Sequence, residues 1–413
     1  MPRRFPSHPP SVHDHKRRRP RRPAEDHKDR TPTDPPSGAT TTQGQPAQPG
    51  PLVDRGWFRL IGGILGIATA VIAVITGSVA AFNYVQQQRA PSYKTEFVVD
   101  TSASPYGGTT SGLQDVADSV VSAVRDASDY DALALRRFGG TCGDRNSTDR
   151  PVDFGIGNRD DIRHAASRLQ VGGRPTLEHG IITATDDFDG LLSPRARLVN
   201  RIIVITRHGA DACQSNQELV QQEVSTRIKA VGLSIQFRLV GYQVPASEEA
   251  SLRQLATAAG APAPAFTQNP AGLASALVRV SNFEPVVLDA QRILAILNPV
   301  VNAINTAVQA VATGDTATAT QLLNQAHAAS TNTDTELRDL SNRSGLKEAQ
   351  TIHRMAIGIR SQQTVVLRAA DDFLARVKTG GDPTIQLNQY NGAIQSYNDQ
   401  VRQLNGVLRQ LMS

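Results

Sequence analysis

The chain has 413 residues, long enough for two or three domains, and a formal net charge of +5. That charge sits at one end: residues 1–59 carry 12 basic and 6 acidic side chains, and the remainder carries 31 and 32. A nearly neutral body with 5% aromatic residues excludes a basic, base-stacking nucleic-acid surface, so the pI of 9.4 describes a tail.

Residues 1–56 are rich in Pro, Arg, His, Thr and Gln and have few apolar side chains. They cannot bury enough surface to offset ordering entropy, which predicts a disordered basic tail that meets anionic lipid head groups. From Leu60 to Gln88 there is no charged residue, and Trp57 and Tyr84 flank the apolar run. Its length and its interfacial aromatics predict one transmembrane helix over 57–84. Lys16, Arg17, Arg18, Arg19, Arg21, Arg22, Arg55 and Arg59 lie on its amino-terminal side, and only Arg89 and Lys94 follow closely. The positive-inside rule then places the tail in the cytoplasm and the rest outside, in a single-pass protein of the cell membrane. Cys142 and Cys213 are the only cysteines. In an exported domain they read as a disulfide, with two separate buried thiols as the alternative.

Residues 92–283 alternate strand and helix patterns. Strands are predicted over 94–100, 130–138, 199–206 and 233–240, with a short one at Phe266. Helices are predicted over 113–127, 160–169, 177–188, 217–230, 248–259 and 270–282. Such alternation implies βαβ units, hence a doubly wound α/β fold with a mostly parallel sheet covered on both faces. Residues 284–413 lose the strand signal. Val287, Ala290, Leu294, Leu297, Val301, Ile304, Val308 and Val311 form one heptad stripe. Leu387, Tyr390, Ile394, Tyr397, Val401, Leu404, Leu408 and Leu411 form another. Between them Ile352, Met355, Ile359, Val366 and Phe373 keep roughly the same period, with Gln362 on the seam. These predict an all-α bundle of three or four antiparallel helices, with a kink at Pro299. The stripes close an intrachain core; coiled-coil contact with a partner is the alternative.

The strand over 94–100 ends in Asp100-Thr101-Ser102-Ala103-Ser104. At the carboxyl edge of a buried parallel strand this places three oxygen groups where such sheets open their binding crevice. Hard divalent cations are held by such oxygens together with water. Three further segments follow in order: the strand ending in Arg136-Arg137-Phe138-Gly139-Gly140, the loop Val171-Gly172-Gly173-Arg174-Pro175-Thr176-Leu177, and the strand Ile202-Ile203-Val204-Ile205-Thr206. Together with Asp100-x-Ser102-x-Ser104 they make residues 93–283 resemble a von Willebrand factor type A domain of the membrane-anchored bacterial kind, in which cysteines also follow the Phe-Gly-Gly and the third loop. The resemblance implies a metal-ion-dependent adhesion site. Asp100, Ser102, Ser104 and Thr176 would surround Mg²⁺, with Mn²⁺ as the second candidate, and an acidic group of a protein partner would complete the shell. Arg174 is the alternative occupant of the threonine register. The third loop departs from the family's Thr-Asp-Gly: it reads Thr206-Arg207-His208-Gly209, with Asp211 as the nearest substitute carboxylate.

Motifs for catalysis are missing: there is no Gly-x-Ser-x-Gly elbow, no phosphate loop and no His-Glu-x-x-His. The sequence therefore implies a membrane-anchored, extracytoplasmic binding protein and not an enzyme. Its partner is an unidentified, acidic protein bound through a degenerate adhesion site. The alternative is a scaffold with an inactive metal site, whose bundle binds or oligomerises.

Overall fold

A computed structural model of the chain describes residues 90–104, 111–189, 195–330, 332–343 and 345–412. The tail and the apolar segment expected over 1–56 and 57–84 lie outside the described residues.

Six strands form one sheet: β1 (Tyr93–Asp100), β2 (Ala132–Phe138), β3 (Thr148–Ile156), β4 (Val199–Thr206), β5 (Ile235–Tyr242) and β6 (Ala265–Thr267). Their order is β3-β2-β1-β4-β5-β6, with all pairings parallel except β2–β3. The mostly parallel, helix-covered sheet expected from the alternation is present. Period-two alternation sends Phe97 and Val99 of β1 and Ile203 and Ile205 of β4 to one face, and Val98, Ile202 and Val204 to the other. The first face is covered by α1 (Ser111–Arg125), α2 (Arg159–Ala166) and α6 (Pro270–Val278), through Val116, Val120, Ile162, Leu273 and Leu277. The second is covered by α3 (Leu177–Asp186), α4 (Gln217–Val231) and α5 (Glu249–Ala258), through Leu177, Ile181, Val220, Val224, Leu252 and Leu255. β1 lies between β2 and β4, so the strand order reverses there and Asp100 stands at the switch point.

The bundle has five described helices, where the periodicity predicts three or four: α7 (Glu284–Ala312), α8 (Thr316–Ala329), α9 (Asp334–Ser341), α10 (Lys347–Lys378) and α11 (Thr384–Met412). Both heptad stripes pack into a single intrachain core with Leu323, Leu340, Ile352, Ile359 and Phe373. α7 runs through Pro299 without interruption. The buried seam glutamine is Gln363, while Gln362 is half-buried and donates to the Ala393 carbonyl at 3.0 Å. No linker separates the two parts. A π turn over Arg279–Phe283 joins α6 directly to α7. The resulting helical run Pro270–Ala312 has the length and composition of a membrane span, yet Leu273 and Leu277 pack on the sheet and Ala290, Leu294 and Leu297 in the bundle core.

The bundle meets the α/β part where the strands begin. Arg343 pairs with Asp131 (3.0 Å) and Asp289 (2.9 Å), and the Tyr93 hydroxyl donates to Asp289 (2.7 Å). Arg197 and Ser92 both reach Asp339, at 2.5 and 3.2 Å. Tyr93 opens β1 and Asp100 closes it, about 23 Å away at some 3.3 Å per residue. The loop edge therefore lies at the end opposite the bundle.

Candidate functional site

Four loops converge on the carboxyl edge. β1 is a run of buried, strand-forming residues that stops at Asp100, whose side chain is 1% exposed. Its carboxylate folds the next residues around itself: Oδ1 accepts from the Ser102 N–H (2.9 Å) and hydroxyl (2.5 Å). Oδ2 accepts from the Arg207 N–H at 3.0 Å and lies 3.0 Å from the Thr206 hydroxyl, which also stands 2.7 Å from the His208 carbonyl. Asp100 thus ties the β1 loop to the β4 loop through donors that the two loops supply. Ser102 is fully buried and Ser104 half-buried.

Thr176 is buried, and its hydroxyl donates to the Ser147 carbonyl at 3.2 Å, in the loop after β2. Arg174 forms a backbone bridge with Gly140 and exposes its side chain. This bridge brings the third segment close, because Gly173 has φ +55 and a Cβ there would strike the Gly140 backbone. Gly139 has φ +128, with the Ser102 nitrogen 2.7 Å from where a Cβ would stand. Asp211 does not turn back to the quartet. Its Oδ2 accepts from the Glu178 N–H (2.8 Å), capping α3, and its Oδ1 accepts from the Cys213 N–H (2.7 Å). Cys142 and Cys213 form the expected disulfide, with Cα atoms 5.3 Å apart, and pin the loops after β2 and β4 together.

Arg207 and His208 point into the cluster. The Arg207 guanidinium is buried and donates through Nη2 to the Ser102 carbonyl. His208 Nε2 lies 2.9 Å from the Ala103 carbonyl, and its Nδ1 lies 3.6 Å from Glu248. Glu248 accepts from the Gly209 N–H at 2.8 Å and so holds the third loop from α5's side. Sequence reasoning missed Glu248: a lone glutamate before a helix carries no pattern. Beside Arg207 stand Gly112 of α1, Gln243, and Tyr242, whose hydroxyl donates to Asp115 at 2.7 Å. Among the described residues no group of three or more His, Cys, Asp or Glu side chains is arranged to hold a metal ion.

A second acidic feature borders the edge. Burial, then a hydrogen bond and charge repulsion from Glu223, then Asp211, push the Glu178 carboxyl up to about 7.

No protein-family model and no curated protein matches the chain. Solved structures similar to it are von Willebrand factor type A domains, the family that the sequence resembles. One is such a domain from Catenulispora acidiphila: 15% identity, 46% of this chain and 42% of that one, TM-score 0.35. Another is the domain of the type V pili tip protein Mfa5 from Porphyromonas gingivalis: 11% identity, 46% and 94%, TM-score 0.36. A third is manganese-loaded TRAP from Plasmodium vivax: 14% identity, 46% and 74%, TM-score 0.33. The chain thus spans under half the length of the Catenulispora structure.

Proposed function

We propose that this chain is a non-enzymatic protein-recognition module, anchored through 57–84 and displayed outside the membrane, whose loop edge works without a divalent cation. One observation carries this reading: the buried Arg207 guanidinium donates to the Ser102 carbonyl, so a positive charge already stands in the loop that Asp100 and Ser102 form. Asp100 receives donors on both oxygens, two of them from the loop that carries Arg207. Among the buried side-chain atoms of the described residues in the cluster, the one without a partner is a nitrogen, Arg207 Nε. A cation shell needs several oxygens turned inward with free lone pairs. These residues therefore do not fit Mg²⁺ or Mn²⁺ in this arrangement.

The placement supports recognition at this edge. The chain enters β1 at Tyr93, the end of the strand opposite Asp100. Both heptad stripes of the bundle are already packed within the chain, which argues against the scaffold alternative with a coiled-coil partner. The test is calorimetry of the full chain with Mg²⁺ and Mn²⁺. We expect no saturable heat from the parent and a saturable heat from Arg207→Asp, which exchanges the guanidinium for a carboxylate next to Asp100. Cation heat from the parent that Asp100→Ala abolishes would sink this reading.

A further inference from the structure

Four arginines are buried among the described residues, and their charges are not met alike. Arg136 and Arg343 each reach two carboxylates, and Arg207 belongs to the loop cluster described above. Arg201, the third residue of β4, is 1% exposed, and among the described residues no carboxylate pairs with it. Its Nη1 donates to the Val280 carbonyl in the π turn. Its Nε and Nη2 are both buried without a hydrogen-bond partner among the described residues. These two nitrogens share one edge of the guanidinium, and their N–H bonds point the same way, which is how arginine grips an anion.

The nearby carboxylates are committed elsewhere. Both oxygens of Glu284 accept from Arg238 Nε at 2.8 Å, and Asp131 accepts from Arg343 at 3.0 Å. The buried Tyr93 ring has the Arg201 guanidinium at 5.4 Å and the Arg343 guanidinium at 4.5 Å from its centre, and its hydroxyl donates to Asp289. Burial lowers the Arg201 guanidinium below the ordinary arginine value, and Glu284, Tyr93 and Asp131 oppose that shift only in part. In register with Arg201 on β5, and on the same face of the sheet, stands Gln236, whose Oε1 is also buried without a partner. Turned over, that amide presents N–H donors in place of the oxygen.

We propose that Arg201 holds a chloride ion on its Nε–Nη2 edge, inside the junction of sheet and bundle, with the Gln236 amide nitrogen as a further donor. Water on that edge would accept the hydrogen bonds and leave the charge uncompensated, whereas a halide supplies the acceptor and the charge together. Arg201, Tyr93 and Val280 are all buried, so the place is closed to a side chain of another protein and suits a monatomic ion. Val280 belongs to the π turn that joins α6 to α7, so the ion fastens that turn to the sheet through Arg201. The site lies toward the strand starts and does not depend on how the loop edge meets its partner.

The experiment melts the full chain at fixed ionic strength while chloride replaces gluconate. The melting temperature of the parent should rise and level off as the site fills, and that of Arg201→Met should not move with chloride. In crystals of the parent grown from bromide, an anomalous peak should lie on the Nε–Nη2 edge of Arg201, which keeps the test valid if Arg201→Met does not fold. A parent that ignores chloride, a rise that survives undiminished in Arg201→Met, or an edge occupied by water alone overturns the site. Stabilisation by nitrate and not by chloride moves it to planar oxyanions and overturns the halide assignment.

Discussion

A guanidinium and a divalent cation make opposite demands on their neighbours: one donates hydrogen bonds to oxygens, the other accepts lone pairs from them. At this edge Asp100 is satisfied by N–H and O–H donors, and Arg207 donates to Ser102. The cluster is therefore built from protons where the sequence pattern implies a metal. The same physics governs Glu178, which lies beside Glu223 and near Asp211. Burial and these like charges hold its carboxyl protonated up to about pH 7, against an ordinary value of 4.5. The folded state thus binds a proton that the unfolded chain has released. Its stabilising contribution is full below about pH 4.5 and is lost as pH rises through about 7. Glu178→Gln, which keeps a donor toward Glu223 but cannot ionise, should match the parent near pH 5 and exceed it near pH 8. Urea unfolding at the two pH values checks this, and parallel losses in parent and variant would refute it.

At the scale of elements, what could be read from sequence follows from how each is buried. β1, β4 and β5 are rich in β-branched and aliphatic residues because helices cover both of their faces, and their limits were legible to within two residues. β3 was not. It is an edge strand, and Asp149, Arg150, Pro151 and Asp153 give it the polar look of a loop while protecting the edge. Lys94 and Glu96 are buried inside β1. Lys94 is held over the rings of Phe154 and Phe188, with Nζ at 4.1 and 4.7 Å, and Glu96 pairs with Arg136. The oxygen motif at Asp100 was legible because it is local, but the hydrogen bonds on the second carboxylate oxygen come from residues more than a hundred positions away. In the bundle, the stripes were legible and the identity of the seam glutamine was not, since one residue moves a side chain by 100° around a helix. Gln363 donates to the Leu297 carbonyl at 2.9 Å, and its own Oε1 is buried without a partner. An unpaired buried acceptor costs about 1–3 kcal/mol, and the bond it accompanies contributes about 1. Gln363→Leu should therefore stabilise the protein by about 1 kcal/mol. A loss of stability in denaturant unfolding would show that the Leu297 carbonyl depends on this donor.

Across the whole molecule, the question is whether the α/β part and the bundle unfold as one. The helical run from α6 through the π turn into α7 makes their junction continuous, and Arg238 pairs with Glu284 at 2.8 Å beside it. The most buried of the side-chain ties is Arg343, held between Asp131 of the sheet domain and Asp289 of α7, with its guanidinium 4.5 Å from the Tyr93 ring centre. Desolvation raises the Asp289 carboxyl, and Arg343 opposes that shift. Removing the arginine strands two buried carboxylates, a change that costs about 3–5 kcal/mol. Asp131 and Asp289 belong to different parts, so the penalty falls on their junction and not on either core. The parent should accordingly melt in one calorimetric transition, with van't Hoff and calorimetric enthalpies in agreement. Arg343→Ala should melt in two, the first at lower temperature. Arg343→Ala with Asp131→Asn and Asp289→Asn should recover part of the loss, because the stranded charges are gone. A single transition in Arg343→Ala, shifted by less than about 1 kcal/mol, would mean that the continuous helix alone couples the two parts.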